Sequence, residues 1–221
     1  AAAFQALAVL AATAKGAGLV EEAGIYPAFS GANSLGALLV GMAPGMLPGW
    51  RSLDDAEAVR KVAGLWEVEA LPSKPSADTL EALESGRLKG LFVQESRHLA
   101  ALGRPVGDLL REVEFLVVQE NVAGPALERA DVVLPLAAFG EQEGTLVNQE
   151  GRFLGLSRAL GSAGECLPDW EALSRIMAAD GTPFPQSIEA VHAEWKGLLP
   201  GCGEHDWASL VREKARLADV C

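Results

Sequence analysis

Between Lys89 and Leu134 short apolar runs alternate with turn and helix signals, and this repetition constrains the fold more than any other feature. The runs are Lys89–Gln94 (KGLFVQ), Glu114–Glu120 (EFLVVQE) and Asp131–Leu134. Pro105 opens a helix-compatible stretch, Val106–Glu112, between the first two. Runs this short, rich in β-branched and aromatic residues and lacking strict alternation, read as strands buried on both sides. Strands alternating with helices imply parallel βαβ units, hence a sheet covered by helices on both faces. The expected class is therefore α/β, with helical N- and C-terminal flanks.

The third run opens a denser stretch, Ala130–Arg152 (ADVVLPLAAFGEQEGTLVNQEGR). Pro135 stops the strand and a helix-compatible segment follows. A polar turn, Glu141–Gly144, then leads into the extended segment Thr145-Leu146-Val147 and on to Asn148, Glu150, Gly151 and Arg152. Strand, crossover and extended polar segment within so few residues make a loop-rich edge on an α/β scaffold.

Elsewhere the signals are mainly helical. Ala1–Lys15 is alanine-rich with Phe4, Leu7 and Leu10 at near-helical spacing, which predicts a packed helix ended by Gly16 and Gly18. A short buried helix is expected at Leu35–Gly41. Ser52 is the expected cap of a helix running to Gly64, with Asp54, Asp55 and Glu57 in its first turn. Trp66–Leu71 reads as extended, and Ser76 as the cap of a helix through Glu84. Gly155–Leu167 reads as irregular. Helices follow at Asp169–Asp180, with Trp170, Leu173, Ile176 and Met177 on one face, at Ser187–Leu198 and at Asp206–Val220. This divides the chain into a helical and Gly/Pro-rich segment (1–64), an α/β unit (65–152) and an irregular segment with C-terminal helices (153–221). Having no initiator Met, the chain is expected to be a fragment of a longer subunit or a processed product.

Composition excludes several functions. A net charge of −12 is opposite to the basic footprint of a nucleic-acid binder. No apolar run approaches the roughly 20 residues that span a bilayer, so no direct membrane insertion is expected. Cys166, Cys202 and Cys221 are widely spaced and form no CxxC pair, so neither a zinc ribbon nor a cluster loop can be read. His98, His192 and His205 are too scattered for a metal site and are expected to be solvated or core residues. Gly31 and Gly36 have the spacing of a phosphate loop, but Ala37 stands where that loop needs lysine. Glu141, Glu143 and Glu150 could supply paired carboxylates for acid–base work, although caps and solvated loops use the same residues. Asn148 and Arg152 can hold polar loops in place. Neither a catalytic constellation nor a metal site can be read from these residues.

The motifs themselves carry a resemblance. Ala130–Pro135, Glu141, Gly144-Thr145, Asn148 and Glu150-Gly151-Arg152 resemble the ADVVLP and E-x-x-GT-x-x-N-x-E-G-R segments of the molybdopterin oxidoreductase superfamily. Its GEA-x-x-DW element is matched by Gly164-Glu165 and Asp169-Trp170, with Cys166 in place of alanine. Asn33-Ser34, Gly36-Ala37, Gly41, Pro44 and Pro48-Gly49 are similar to a segment of one branch, the large iron–sulfur (G-type) subunit of bacterial NADH–quinone oxidoreductase, respiratory complex I. Where the family commonly has a G-x-N-P turn after the first strand, this chain has Glu95-Ser96-Arg97.

The resemblance implies a structural portion of the peripheral, electron-input arm of that complex. It implies no cofactor in this chain, with iron–sulfur clusters in an N-terminal part of the subunit. Partners would be other peripheral-arm subunits, at the cytoplasmic side of the inner membrane. The alternative it implies is the distal part of an active molybdopterin-dependent oxidoreductase of the formate or nitrate type, with Thr145, Asn148 and Arg152 near the pterin. A third reading is an independent small-molecule-binding α/β module.

Overall fold

The computed structural model describes residues 2–23, 29, 31–71, 79–182, 184–199, 205–212 and 215–216. In chain order the elements are α1 (Ala2–Gly16), α2 (Ser34–Leu39), β1 (Met46–Leu47), β2 (Arg51–Ser52), α3 (Ala56–Leu65), α4 (Thr79–Glu84), β3 (Gly90–Gln94), α5 (Val106–Leu109), β4 (Phe115–Glu120), β5 (Val132–Pro135), β6 (Gly144–Val147), β7 (Arg152–Leu156), α6 (Asp169–Ala179), α7 (Ile188–Lys196), α8 (Trp207–Arg212) and β8 (Ala215–Arg216).

The three apolar runs form a parallel sheet in the order β3-β4-β5. Asp131 explains the start of the ADVVLP segment. Its Oδ2 accepts the Leu116 N–H at 2.7 Å while its own N–H donates to the Leu116 carbonyl at 2.9 Å, so one residue ties β5 to β4. After Pro135 the chain stays beside β4 through the Leu136 N–H, which donates to the Glu120 carbonyl at 2.9 Å. Leu167 then bridges in parallel to Leu136, just before α6.

One face of this sheet packs as expected: Val93, Leu116 and Val118 close on Val106, Leu110 and Ala126. The other face departs from the expectation of two-sided cover. It is touched at its carboxyl end by Asp169, which accepts from Gln94 Nε2 at 3.3 Å. Phe92, Phe115 and Val132 on that face remain 38–54% exposed.

Thr145-Leu146-Val147 does not extend the parallel sheet. It lies in β6, which pairs antiparallel with β7, and β7 pairs in turn with β8. Leu39, Val147, Phe153, Leu199 and Leu210 form the core beneath this second sheet, drawing on α2, β6, β7 and α8. A third small core joins Leu47 to Ala58 and Val62 of α3.

Other local expectations are corrected. The α1 helix forms, as its alanine content demands, but Leu7, Val9 and Leu10 are exposed rather than packed, and the Phe4 side chain lies outside what is described. Asp55, not Ser52, caps α3: its Oδ1 accepts from the N–H groups of Glu57 and Ala58, both at 3.1 Å. These bonds, chiefly that from Ala58, together with Arg51 hold the Asp55 carboxyl below its ordinary value. Ser52 Oγ instead accepts from the Asp54 N–H. Trp66–Leu71 contains no strand, because Trp66 ends α3 and Glu67 adopts φ 52°. Ser76 lies outside the described residues. The helix after Pro105 covers only Val106–Leu109, and β7 continues through Leu156 into the stretch read as irregular. In α6 the buried residues are Ala172 and Ser174, whereas Leu173 and Ile176 are exposed. The last helix is six residues long and is followed by β8. Among the described residues no helix is long and apolar enough to cross a membrane.

Candidate functional site

The N-x-E-G-R residues build the loop of the β6–β7 hairpin. Pairing runs from Gly144↔Leu156 to Val147↔Phe153, leaving residues 148–151 to turn the chain. Asn148 closes that turn with its side chain. Its Oδ1 accepts the N–H of Glu150 at 3.0 Å and of Arg152 at 2.9 Å. The backbone adds Asn148 N–H to the Arg152 carbonyl at 3.1 Å and Gly151 N–H to the Asn148 carbonyl at 2.9 Å. Gly151 takes φ 73°, a left-handed conformation that costs glycine little. Asn148→Ala removes one acceptor serving two donors, and we expect it to lower stability by about 1–2 kcal/mol. Urea denaturation measures this; an unchanged midpoint would show that water replaces the side chain without loss.

The hairpin is fastened to the upstream glycine-rich segment. Asn33 Oδ1 accepts the Val147 N–H at 2.8 Å, on the edge of β6 opposite β7. Gly36 lies directly under that amide: a β-carbon there would fall on Asn33 Oδ1 and 2.9 Å from its Cγ. Gln149 Nε2 donates to the Phe29 carbonyl at 2.7 Å. The N-S-x-G-A and GT-x-x-N-x-E-G-R segments, read separately in the sequence, thus meet in space.

The candidate side chains are largely occupied by these local roles. Thr145 Oγ1 faces His192 Nδ1 at 3.4 Å. The Arg152 side chain lies beside Glu150, with Nε to Oε2 at 2.9 Å. That contact is charge against charge without hydrogen-bond alignment, since Nε is buried and lacks an aligned acceptor. The three glutamates are not brought together. Glu141 accepts from the Ala138 N–H at 3.0 Å, Glu143 meets Arg158 at 3.5 Å, and Glu150 meets Arg152. Among the described residues no group of three or more His, Cys, Asp or Glu could hold a metal ion. Cys166 is a half-buried free thiol, and Cys202 and Cys221 lie outside the described residues.

Parallel α/β sheets present ligands at the carboxyl ends of their strands. Here that edge is turned in on itself. Glu95 leaves β3 with φ 53°, strained for a residue with a β-carbon. Its carboxylate pairs with Arg97 and lies 3.4 Å from His98 Nε2. Ser96 is fully buried: its N–H donates to Glu120 Oε1 at 2.8 Å, and its Oγ accepts the Ala126 N–H at 3.2 Å. Arg97 also donates to Asn121 Oδ1 at 3.1 Å. The Glu120 carboxylate packs against Gly124, leaving no room for a β-carbon there. A pterin dinucleotide is an anion and needs free N–H donors for its phosphates. Beyond β3 and β4 the Ser96 and Ala126 N–H groups are spent internally. The buried Gln119 amide and Glu120 Oε2 have no partner among the described residues. The Glu120 carboxylate occupies the crevice, where it would repel a phosphate, so these residues do not fit that group.

The fold and motifs have a family. The family model for molybdopterin oxidoreductases matches residues 1–179, so the chain belongs to the molybdopterin oxidoreductase family. Among its relatives, the formate dehydrogenase-type protein YrhE of Bacillus subtilis is 32% identical over 212 residues, which are 88% of this chain and 22% of that protein. A G-type NADH-quinone oxidoreductase subunit of Rhizobium meliloti, the second of its kind there, is 31% identical over 198 residues, 87% of this chain and 23% of that subunit. The G-type NADH-quinone oxidoreductase subunit of Streptomyces coelicolor is 38% identical over 133 residues, 55% of this chain and 15% of that subunit. The chain therefore spans under a quarter of the length of these relatives, and relatives with different named activities match it at similar identity.

Three structural features went unread in the sequence. The Asn33–Val147 bond joins residues 114 apart and has no local signal. Gly155 reads as the start of an irregular stretch, yet it lies in β7 and α8 rests directly on it. His192 reads as a solvated or core histidine, whereas its two ring nitrogens face two different elements.

Proposed function

We propose that this chain is a structural, interface-bearing part of the peripheral arm of an NADH–quinone oxidoreductase, keeping the family fold without holding the pterin cofactor. The observation that carries the reading is the strand-end edge, where Ser96 engages Glu120 Oε1 and the Ala126 N–H, and the carboxylate, with Oε2 unpartnered among the described residues, stands where an anion would need donors. The G-type NADH-quinone oxidoreductase relatives at 31% and 38% identity support the choice of complex. On this reading the iron–sulfur clusters that carry electrons from NADH lie outside this chain. Its partners are neighbouring peripheral-arm subunits on the cytoplasmic side of the membrane. The uncovered sheet face around Phe92, Phe115 and Val132 is apolar surface of the kind that larger assemblies bury.

The test is metal and pterin analysis of the purified subunit that contains this chain. We expect iron, with molybdenum and pterin far below one per subunit. Stoichiometric molybdenum with pterin would instead establish the second reading, a molybdopterin-dependent oxidoreductase of the formate or nitrate type. The match to the formate dehydrogenase-type relative favours that reading. Under it Thr145, Asn148 and Arg152 lie near the pterin, and a cysteine, selenocysteine or serine metal ligand belongs elsewhere in the subunit.

A further inference from the structure

Three elements meet at the ring of His192, which is 2% exposed on α7. Its Nε2 lies 3.0 Å from the carbonyl oxygen of His205, the residue that leads into α8. A carbonyl only accepts, so Nε2 carries the hydrogen. Nδ1 is then the acceptor, and the Thr145 hydroxyl on β6 donates to it across 3.4 Å. The Trp195 ring meets the imidazole edge-on at 4.5 Å and stacks on Phe153 of β7 at 6.4 Å. One uncharged imidazole therefore links α7 to β6 and to the start of α8. The same helix is pinned a second time, because Trp207 Nε1 donates to the Gly144 carbonyl at 3.0 Å.

Burial pushes the His192 ring below its ordinary value of 6.5. The His205 carbonyl acts in the opposite sense, Lys196 adds to the depression and Asp206 opposes it. Those two charges come from α7 itself and from the residue preceding α8, while β6 presents the neutral Thr145. Asp206 is already engaged, its Oδ1 accepting the Ser209 N–H at 2.6 Å. A charged ring would thus meet a hydroxyl that must reverse and a carboxylate committed elsewhere.

We propose that His192 is an acid-operated latch: its protonation releases the amino end of α8 from the β6–β7 hairpin. The direction follows from linkage. The latched ring is depressed below 6.5 and the released ring returns to about that value, so protons bind the released form more tightly. The latch is fully closed above 6.5 and weakens as pH falls below it, by up to about tenfold per pH unit until the latched ring itself titrates. Asp206 titrates in a separate window, because its bonds from Ser209 hold the carboxyl below 3.8.

Hydrogen exchange followed by mass spectrometry, on the intact chain from about pH 8 to about pH 5 and corrected for intrinsic rates, tests the latch. We expect the amides of Ser209–Arg212 to lose protection by up to about tenfold per pH unit below 6.5, while those of β4 stay protected. In His192→Gln, which keeps a donor and an acceptor but cannot titrate, that pH dependence should vanish. Flat α8 protection across the range, pH dependence surviving in His192→Gln, or parallel loss of protection in β4 would each overturn the proposal. If the variant does not fold, an NMR titration of the wild-type ring decides. A ring titrating below 6.5 together with shifts in α8 supports the latch, and one titrating at or above 6.5 rejects it.

Discussion

Replacing Gly155 by alanine is expected to lower stability by about 2–3 kcal/mol and to dislodge α8. A β-carbon at this position would stand 2.5 Å from the backbone nitrogen of Val211 and 2.6 Å from both its Cα and its Cγ2. Two of those atoms are backbone, so no side-chain rotation clears the contact. β7 cannot yield easily, since β6 holds it along its length and β8 pairs with Arg152 and Phe153. The helix must therefore lift, drawing Leu210 away from Phe153 in the core beneath the hairpin. For a chain of this size the melting temperature should fall by roughly 4–12 °C. Gly161→Ala is the control, because nothing lies within 4 Å of a β-carbon there. Equal effects at the two positions would mean that α8 does not rest on β7 as described.

The second large effect is expected at the join between the two sequence motifs. Asn33→Ala leaves the Val147 N–H without its acceptor at a position where the residue is 4% exposed, for a cost of about 1–3 kcal/mol. Gly36→Ala reaches the same end by another route, since its methyl group takes the space of the Asn33 amide. If both changes break one interaction, the double variant should be only slightly less stable than either single one, with a coupling of about 1 kcal/mol or more. Denaturation of all four proteins closes the cycle. Strictly additive losses would separate Gly36 from the Asn33–Val147 bond.

The parts of the fold legible in the sequence are those encoded locally. The runs around Leu91, Val117 and Val133 read as parallel strands because apolar runs of strand length recur between turn and helix signals, and they do pair in parallel; their register had no signal in the sequence. Helix caps were harder, because Ser52 and Asp55 both suit the N-cap of α3 and the choice depends on which one points at Glu57 and Ala58. The extended reading of Trp66–Leu71 failed where Glu67 enters the left-handed region without glycine to mark it. The second sheet was less legible still. Its third strand is two residues long, and β6 reads as well for a parallel neighbour as for a hairpin until Asn148 is seen to turn the chain.

The candidate site divides in the same way. Asn148 and Arg152 stand out because Asn and Arg suit polar loops, and their partners are local, whereas Val147 and Gln149 beside them are held by partners remote in sequence. In the sequence Arg152 stands out for its guanidinium, whereas its backbone N–H makes the aligned bond to Asn148. Nothing local in the sequence pairs Ser96 with Glu120, since 24 residues and a whole strand-to-strand crossover separate them.

The bond between Asn33 and Val147 also sets a schedule. Its two ends are 114 residues apart, and a ribosome adding about 5–20 residues per second takes roughly 6–23 s to cover that interval. Through that time the Asn33 amide has water for a partner, and the glycine beneath it has nothing to accommodate. The parallel sheet can assemble as soon as its own strands emerge. The upstream glycine-rich segment has to wait for the hairpin, so its order records that synthesis has passed Val147.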